Sequence, residues 1–237
     1  MVKTGMTKVK ICGIKCKKHA LAAAEAGADF VGLVFAPSKR QIDTAQAREI
    51  VDVVKGCITT PLLVGVFVNT KASEVNEIAD FCGLDWVQLS GDESWEYCRE
   101  INRPIIKAVR VGEHKGSREI ISELEAGIGQ LGEKRYLLLL DSEVKDKYGG
   151  TGMAFDWRLA HAVAERFPVI VAGGLTPENV AEAIKTVSPW GVDVSSGVEV
   201  EGTKDVAKIK AFIAAVRSIE ETLNPEHEIL NVKELEL

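Results

Sequence analysis

The chain lacks any long apolar run. Stretches such as "LLVGVFV" and "YLLLL" fall far short of the roughly 20 apolar residues that a membrane-spanning helix needs. The opening "MVKTGMTKVK" has no apolar h-region. A cytoplasmic chain without a secretory signal is therefore expected. No basic stripe is visible, and the formal net charge is -6 at pH 7. That balance argues against nucleic acid as a partner, and no membrane partner is expected. There is no Cys-x-x-Cys. The five cysteines (Cys12, Cys16, Cys57, Cys82, Cys98) are odd in number and irregularly spaced, which reads as free thiols in a reducing compartment. The four histidines stand far apart, and none forms a metal-ligand pair at helical spacing, so no metal is expected.

What is present is a regular alternation of two hydrophobic periods. Short apolar runs, "VKICGI", "FVGLVFA", "LLVGVFV", "WVQLS", "PIIKAVRV", "RYLLLLD", "VIVAGG" and "GVDVSS", are each followed by a stretch with helical spacing. Strand–helix alternation implies parallel strands with right-handed crossovers. The runs are apolar nearly throughout, as in sheets covered on both faces. Eight such units in 237 residues predict an α/β fold: a single (β/α)8 TIM barrel with parallel strands. Residues 1–220 form the catalytic barrel in this reading, and the acidic tail 221–237 is an extension without an assigned role. "GADFV", "GLDWV" and "GVDVS" each place Gly-x-Asp between a helix and the next strand. "GIGQLG" (127–132) matches Gly-x-Gly-x-x-Gly. It follows a helical stretch and precedes a strand, the reverse of a dinucleotide-binding turn, so no nicotinamide cofactor is expected.

In such barrels the active site lies at the C-terminal ends of the strands. Strands 7 and 8 end in "AGGL" and "SSGVE". Bare amides at Gly173, Gly174, Ser195, Ser196 and Gly197 suit a phosphate group. Thr176 and Pro177 read as the N-cap and first residue of the following helix. Asp141 follows "LLLL" at the rim of an apolar interior, a setting that favours the protonated acid. The loop after it, "SEVKDKYGGTGMAFDW", is long and glycine-bearing, as a mobile lid over the site would be. Cys12 ends strand 1 and is followed by Gly13. A free cysteine is commonly an inert small hydrophobe. Strands 6, 7, 8 and 1 are neighbours in a closed barrel, however, so Cys12 and Asp141 would flank a phosphosugar held at strands 7 and 8. One supplies a general base and the other a general acid. Arg40, in "APSKR" after strand 2, suits a second anion, a carboxylate.

With these residues assembled, the chain resembles the phosphoribosylanthranilate isomerases of tryptophan biosynthesis. The matching stretches include "KICGIK", "GADFVGLVFAPSKRQI", "GVFVN", "VQLSGDE", "LLDS", "GGTGMAFDW", "VIVAGGLTPENV" and "GVDVSSGVE". The resemblance implies an Amadori rearrangement of a small phosphoribosyl substrate, without a cofactor, by a monomer or homodimer. Carried over residue by residue, Asp141 opens the ribose ring, Cys12 removes the sugar C2 proton and Arg40 holds the anthranilate carboxylate. The glycine-bearing loops hold the phosphate, and Asp193 is a further candidate contact. Relatives commonly have Gln-Leu-His-Gly where this chain has Gln88-Leu89-Ser90-Gly91, and Ser90 lacks the near-neutral titration of imidazole. Rival readings are a metal-dependent phosphosugar epimerase, a histidine-pathway isomerase with two phosphate loops, and a non-catalytic phosphate-binding barrel. The first lacks its histidines, "SGDES" after strand 4 suits the second poorly, and the pairing of Cys12 with Asp141 argues against the third.

Overall fold

The computed structural model describes residues 6–111, 116–142 and 157–223. Eight strands, β1 (Lys8–Cys12), β2 (Phe30–Val34), β3 (Leu62–Phe67), β4 (Trp86–Leu89), β5 (Ile105–Val111), β6 (Tyr136–Ser142), β7 (Val169–Val171) and β8 (Gly191–Val194), close into one barrel in chain order. Every neighbouring pair is parallel, and β1 pairs with β8 through Val9↔Val192 and Lys10↔Asp193. The intervening helices are α1 (Lys17–Glu25), α2 (Thr44–Lys55), α3 (Ala72–Cys82), α4 (Trp95–Arg99), α5 (Ser117–Gly129), α6 (Trp157–Ala164), α7 (Val180–Val187) and α8 (Val206–Leu223). No helix among the described residues is long and apolar enough to cross a membrane. "GIGQLG" lies at the end of α5 and before β6. Residues 143–156 of the expected lid and 224–237 of the tail lie outside the described residues.

Side chains alternate across each strand, and the alternation separates two cores. Val9, Ile11, Val31, Leu33, Leu63, Leu138 and Leu140 face outward and pack against the helices. Phe30, Val64, Trp86, Ile106, Leu137, Leu139, Ile170 and Ala172 fill the barrel, with Trp190 against them. Phe30 meets Trp86 edge-on, ring centroids 6.1 Å apart, the orientation that ring quadrupoles favour. A smaller apolar group of Cys12, Val34, Ala36 and Val66 caps this interior toward the strand ends. The inward face therefore changes from bulky residues to smaller ones toward the strand ends. That change leaves room for a site at one end only.

The Gly-x-Asp echo has a structural meaning in two of its three copies. Gly27 and Gly83 follow α1 and α3 with left-handed φ of 87° and 69°, a conformation that other residues adopt at a cost. Ala28 N donates to Ala23 O, and Leu84 N to Ala79 O, which completes the helix ends as Schellman-type caps. Asp29 Oδ2 then accepts from Val9 N at 2.9 Å, and Asp85 Oδ2 from Leu63 N at 2.8 Å. Each aspartate thus satisfies the first free amide of the preceding strand. Asp29 also binds Lys8 and Arg217, tying α8 to the start of β1. The third copy differs. Gly191 lies within β8, Ser188 ends α7 with φ of 50°, and Asp193 points into the barrel. Beyond β8 the chain makes a short 3-10 turn (Ser196–Val198) and a hairpin, β9 (Glu199–Val200) with β10 (Thr203–Lys204), neither of which the hydrophobic periods indicate.

Replacing Asp29 by Ala orphans the Val9 amide and removes two ion pairs. The expected cost is about 2 kcal/mol. Urea denaturation should show a lower midpoint at unchanged slope.

Candidate active site

The site is assembled from strand ends. Lys10 and Cys12 are alternate residues of β1 and share its inward face. Cys12 is 8% exposed and Lys10 1%. Lys10 Nζ lies 2.8 Å from Asp193 Oδ1, across the seam at which β1 meets β8. On the other side, Gly32 of β2 is the register partner of Cys12. A Cβ there would come within 2.9 Å of Cys12 Sγ and 3.2 Å of Lys10 Nζ, so glycine is required for both side chains to fit. Burial pushes the Cys12 thiol up from its ordinary value, and the charge of Lys10 opposes that rise. For Lys10, burial acts to lower the ammonium, but Asp193 and Cys12 outweigh it and hold the group above its ordinary value. Lys10 is therefore a fixed positive charge near neutral pH.

Gly13, with φ of 78°, turns the chain over Arg40, whose Cδ would lie 2.5 Å from a Cβ there. Arg40 makes a bidentate ion pair with Glu199, Nε to Oε1 at 2.7 Å and Nη2 to Oε2 at 2.8 Å. Lys204 reaches the same carboxylate at 2.6 Å and also donates to Ser195 O at 2.8 Å. Ser195 Oγ donates in turn to Cys12 O at 3.2 Å. The β9–β10 hairpin thus links the arginine, the loop after β8 and the end of β1. Burial works to raise the Glu199 carboxyl, yet the hydrogen bonds from Arg40 and Lys204 hold it below its ordinary value. Lys204 is lowered by burial, but with a carboxylate at 2.6 Å and a carbonyl on its other side we assign it as charged. Arg40 is consequently oriented before any ligand arrives, with about a third of its side chain exposed.

The loops after β7 and β8 lie side by side. Gly173 and Gly174 both have positive φ, 87° and 65°, in a turn that only glycine adopts without strain. The turn is braced by Asn179, whose Oδ1 accepts from Thr176 N at 2.7 Å and whose Nδ2 donates to Gly174 O at 2.9 Å. The expected cap at Thr176 and first helical residue at Pro177 require correction. α7 begins at Val180 with Asn179 before it. Thr176 instead starts a lead-in turn, accepting from Glu178 N through its hydroxyl and from Val180 N through its carbonyl. Gly197 is needed for a different reason. A Cβ there would fall 1.8 Å from Leu175 O, so the loop after β8 is laid directly on the loop after β7. Ser196 is exposed between them.

Asp141 shares the inward face of β6 with Leu137 and Leu139, and it pairs in register with Arg110. It is exposed, contrary to the apolar seclusion expected from "LLLL". The physical reason is its height: pairing of β6 with β7 ends at Leu140↔Val171, so Asp141 stands above the packed interior. Ser90 accepts from Gln88 Nε2 at 3.0 Å, while Gln88 Oε1 is buried with no partner among the described residues. In the "SGDES" loop, Glu93 takes the free amides of Asn69 and Gly91 at 2.8 and 2.9 Å and pairs with buried Lys107. Those amides are already satisfied by the chain's own carboxylate, which explains why this loop suits a phosphate poorly. No cluster of metal-ligand side chains occurs among the described residues. Sequence reasoning missed Lys10, Glu199 and Lys204. A lysine in an otherwise apolar strand was the available signal for the first.

A family model described as N-(5'phosphoribosyl)anthranilate (PRA) isomerase matches residues 9–215. A relative of that name from Dehalococcoides mccartyi is 50% identical over 212 residues, covering 90% of this chain and 96% of the relative. One from Roseiflexus is 47% identical over 219 residues, covering 90% and 99%. Among solved structures, the phosphoribosylanthranilate isomerase of Thermotoga maritima aligns with a TM-score of 0.76 at 40% identity, over 90% of this chain and all of that one. An isomerase of the same name, in complex with reduced 1-(o-carboxyphenylamino)-1-deoxyribulose 5-phosphate, aligns with a TM-score of 0.74 at 38% identity, with the same coverage.

Glu199→Gln leaves the buried Lys204 ammonium without its counter-charge and loosens Arg40. Chemical denaturation should show a loss of about 3 kcal/mol at pH 7. Because Glu199 is held below its ordinary value of 4.5, the stability from its charge is present above that pH and is lost as pH falls through the lower folded value. The variant should lack that part of the acid-side decline in a pH series.

Proposed function

The chain belongs to the N-(5'-phosphoribosyl)anthranilate isomerase family, and on that premise we propose which of its side chains move the protons. The reaction is the Amadori rearrangement of N-(5'-phosphoribosyl)anthranilate to 1-(2-carboxyphenylamino)-1-deoxyribulose 5-phosphate. It is an internal redox shift in which C1 of the sugar is reduced and C2 oxidised, with no net gain or loss of atoms.

Asp141 in its protonated form donates to the ribose ring oxygen. The C1–O bond breaks and the anthranilate nitrogen shares its lone pair with C1, giving a Schiff base. The Cys12 thiolate then takes the proton from C2. The C–H electron pair becomes a C1–C2 double bond, and the iminium nitrogen is neutralised. The resulting enolamine tautomerises to the 2-ketone. Arg40 holds the substrate carboxylate, using the guanidinium face that Glu199 leaves free. Gly173, Gly174, Ser195, Ser196 and Gly197 bind the phosphate through backbone amides and hydroxyls. Asp193 is a further candidate contact with the substrate. The observation that supports these roles is the inward position of Cys12 at the end of β1 and of Asp141 at the end of β6, on either side of the two glycine-bearing loops that lie one on the other. In the same reading the partner is a small phosphoribosyl substrate and the chain works as a monomer or homodimer; a Thermotoga maritima relative is described as dimeric.

The reading is tested by the fluorescence of phosphoribosylanthranilate generated in place. Cys12→Ser and Asp141→Asn should each lower kcat by at least about a hundredfold. Competitive inhibition by inorganic phosphate should stay unchanged. Full turnover in either variant would remove that residue from the mechanism.

A further inference from the structure

Lys10, the cation of the charged pair beneath Cys12, has no assigned part in the reaction. Lys10 and Asp193 are 1% and 8% exposed. Carrying two charges out of water costs several kcal/mol per ion, and apolar residues of similar volume often serve stability as well. The position of the pair shows what else it does. A single point on β2, where a Cβ of Gly32 would stand, lies 2.9 Å from Cys12 Sγ and 3.2 Å from Lys10 Nζ. Sulfur and ammonium therefore occupy one small space, walled by Val34, Ala36 and Val66 on the apolar side. Asp193 Oδ1, 2.8 Å from Nζ, fixes the ammonium there.

We propose that Lys10 is a positioning residue for the isomerisation: its buried ammonium, anchored by Asp193, faces the Cys12 sulfur and stabilises it as the thiolate that takes the C2 proton. The proposal rests on the assignment of Cys12 as the base. In an apolar cup a thiol resists ionisation, and burial raises Cys12 accordingly. The charges that bear on the sulfur are Lys10 on its own strand, Asp193 on β8, Lys204 on β10 and Arg40 after β2. Glu199 on β9 neutralises much of the last two. Among these charges Lys10 acts most strongly on the thiol, in the direction that favours the thiolate, and Asp193 acts against it. Lys10 keeps its own proton throughout. The proton that leaves C2 goes to sulfur, and the bond's electron pair stays in the enolamine.

The test is the rate of Cys12 carbamidomethylation by iodoacetamide across pH, read by peptide mapping on protein whose fold is checked by circular dichroism. Lys10→Met should move the midpoint up by about one pH unit or more, and Asp193→Asn should move it down, as nearby charges do. Turnover of Lys10→Met at pH 7 should fall about tenfold, in line with the lost thiolate, and recover as pH is raised. A merely structural pair would leave both midpoints in place, and that result overturns the coupling. If Lys10→Met does not fold, Lys10→Gln is read in the same way: a raised midpoint supports the proposal and an unmoved one overturns it. Full turnover by Cys12→Ser, by contrast, would overturn the base assignment and with it the catalytic part of the proposal, whatever the alkylation profiles show.

Discussion

β1 meets β8 where the sheet closes, and Lys10 and Asp193 face each other in register across that seam. A sheet of parallel strands has two open edges until its last strand finds its first, and closure removes both. Everything that makes the site depends on it. Strand 1 brings Cys12, strand 8 brings the loop with Ser195 and the hairpin with Glu199, and only closure makes them neighbours. The ion pair sits one layer below, where an unpaired charge of either sign would be costly. It specifies the register of the seam as well as spanning it: a one-residue slip would turn Lys10 outward among the helices.

Above the seam, small residues let backbones and side chains approach closely. Gly32 makes room for Cys12 and Lys10, Gly13 for Arg40, and Gly197 lets the loop after β8 lie on Leu175. Charge then sets the orientations. Arg40, Glu199, Lys204 and Ser195 form one connected network, so the arginine is aimed and partly neutralised before a ligand binds. Prior orientation of this kind lowers the ordering cost of binding. Asp141 is differently placed, at the exposed end of β6. The base and the acid of the proposed pair therefore work in unlike surroundings, one buried beside Lys10 among small apolar residues and the other exposed at the end of its strand.

The barrel was legible because its signal repeats. Apolar strands and amphipathic helices alternate, and the chain spans eight such units. The positions of Cys12, Asp141, Gly173 and Ser195 at strand ends follow from the same pattern, since a strand end is a local feature. Thr176 misled because Thr-Pro-Glu is a good helix start taken alone, whereas Asn179 captures the turn before it and delays the helix. The seclusion expected for Asp141 failed for a similar reason. Four leucines in sequence describe the strand, but the height at which neighbouring strand β7 stops pairing decides how deep the next residue lies.

By itself the sequence determined the order of elements, the closed parallel class and the stations at which chemistry can occur, because hydrophobic period and strand ends are written locally. Tertiary structure decided the rest. That Lys10 pairs with Asp193, that Glu199 claims Arg40, and that Gly197 answers to Leu175 are relations between residues far apart in the chain. They arise from strand register and barrel closure, and no local pattern carries either.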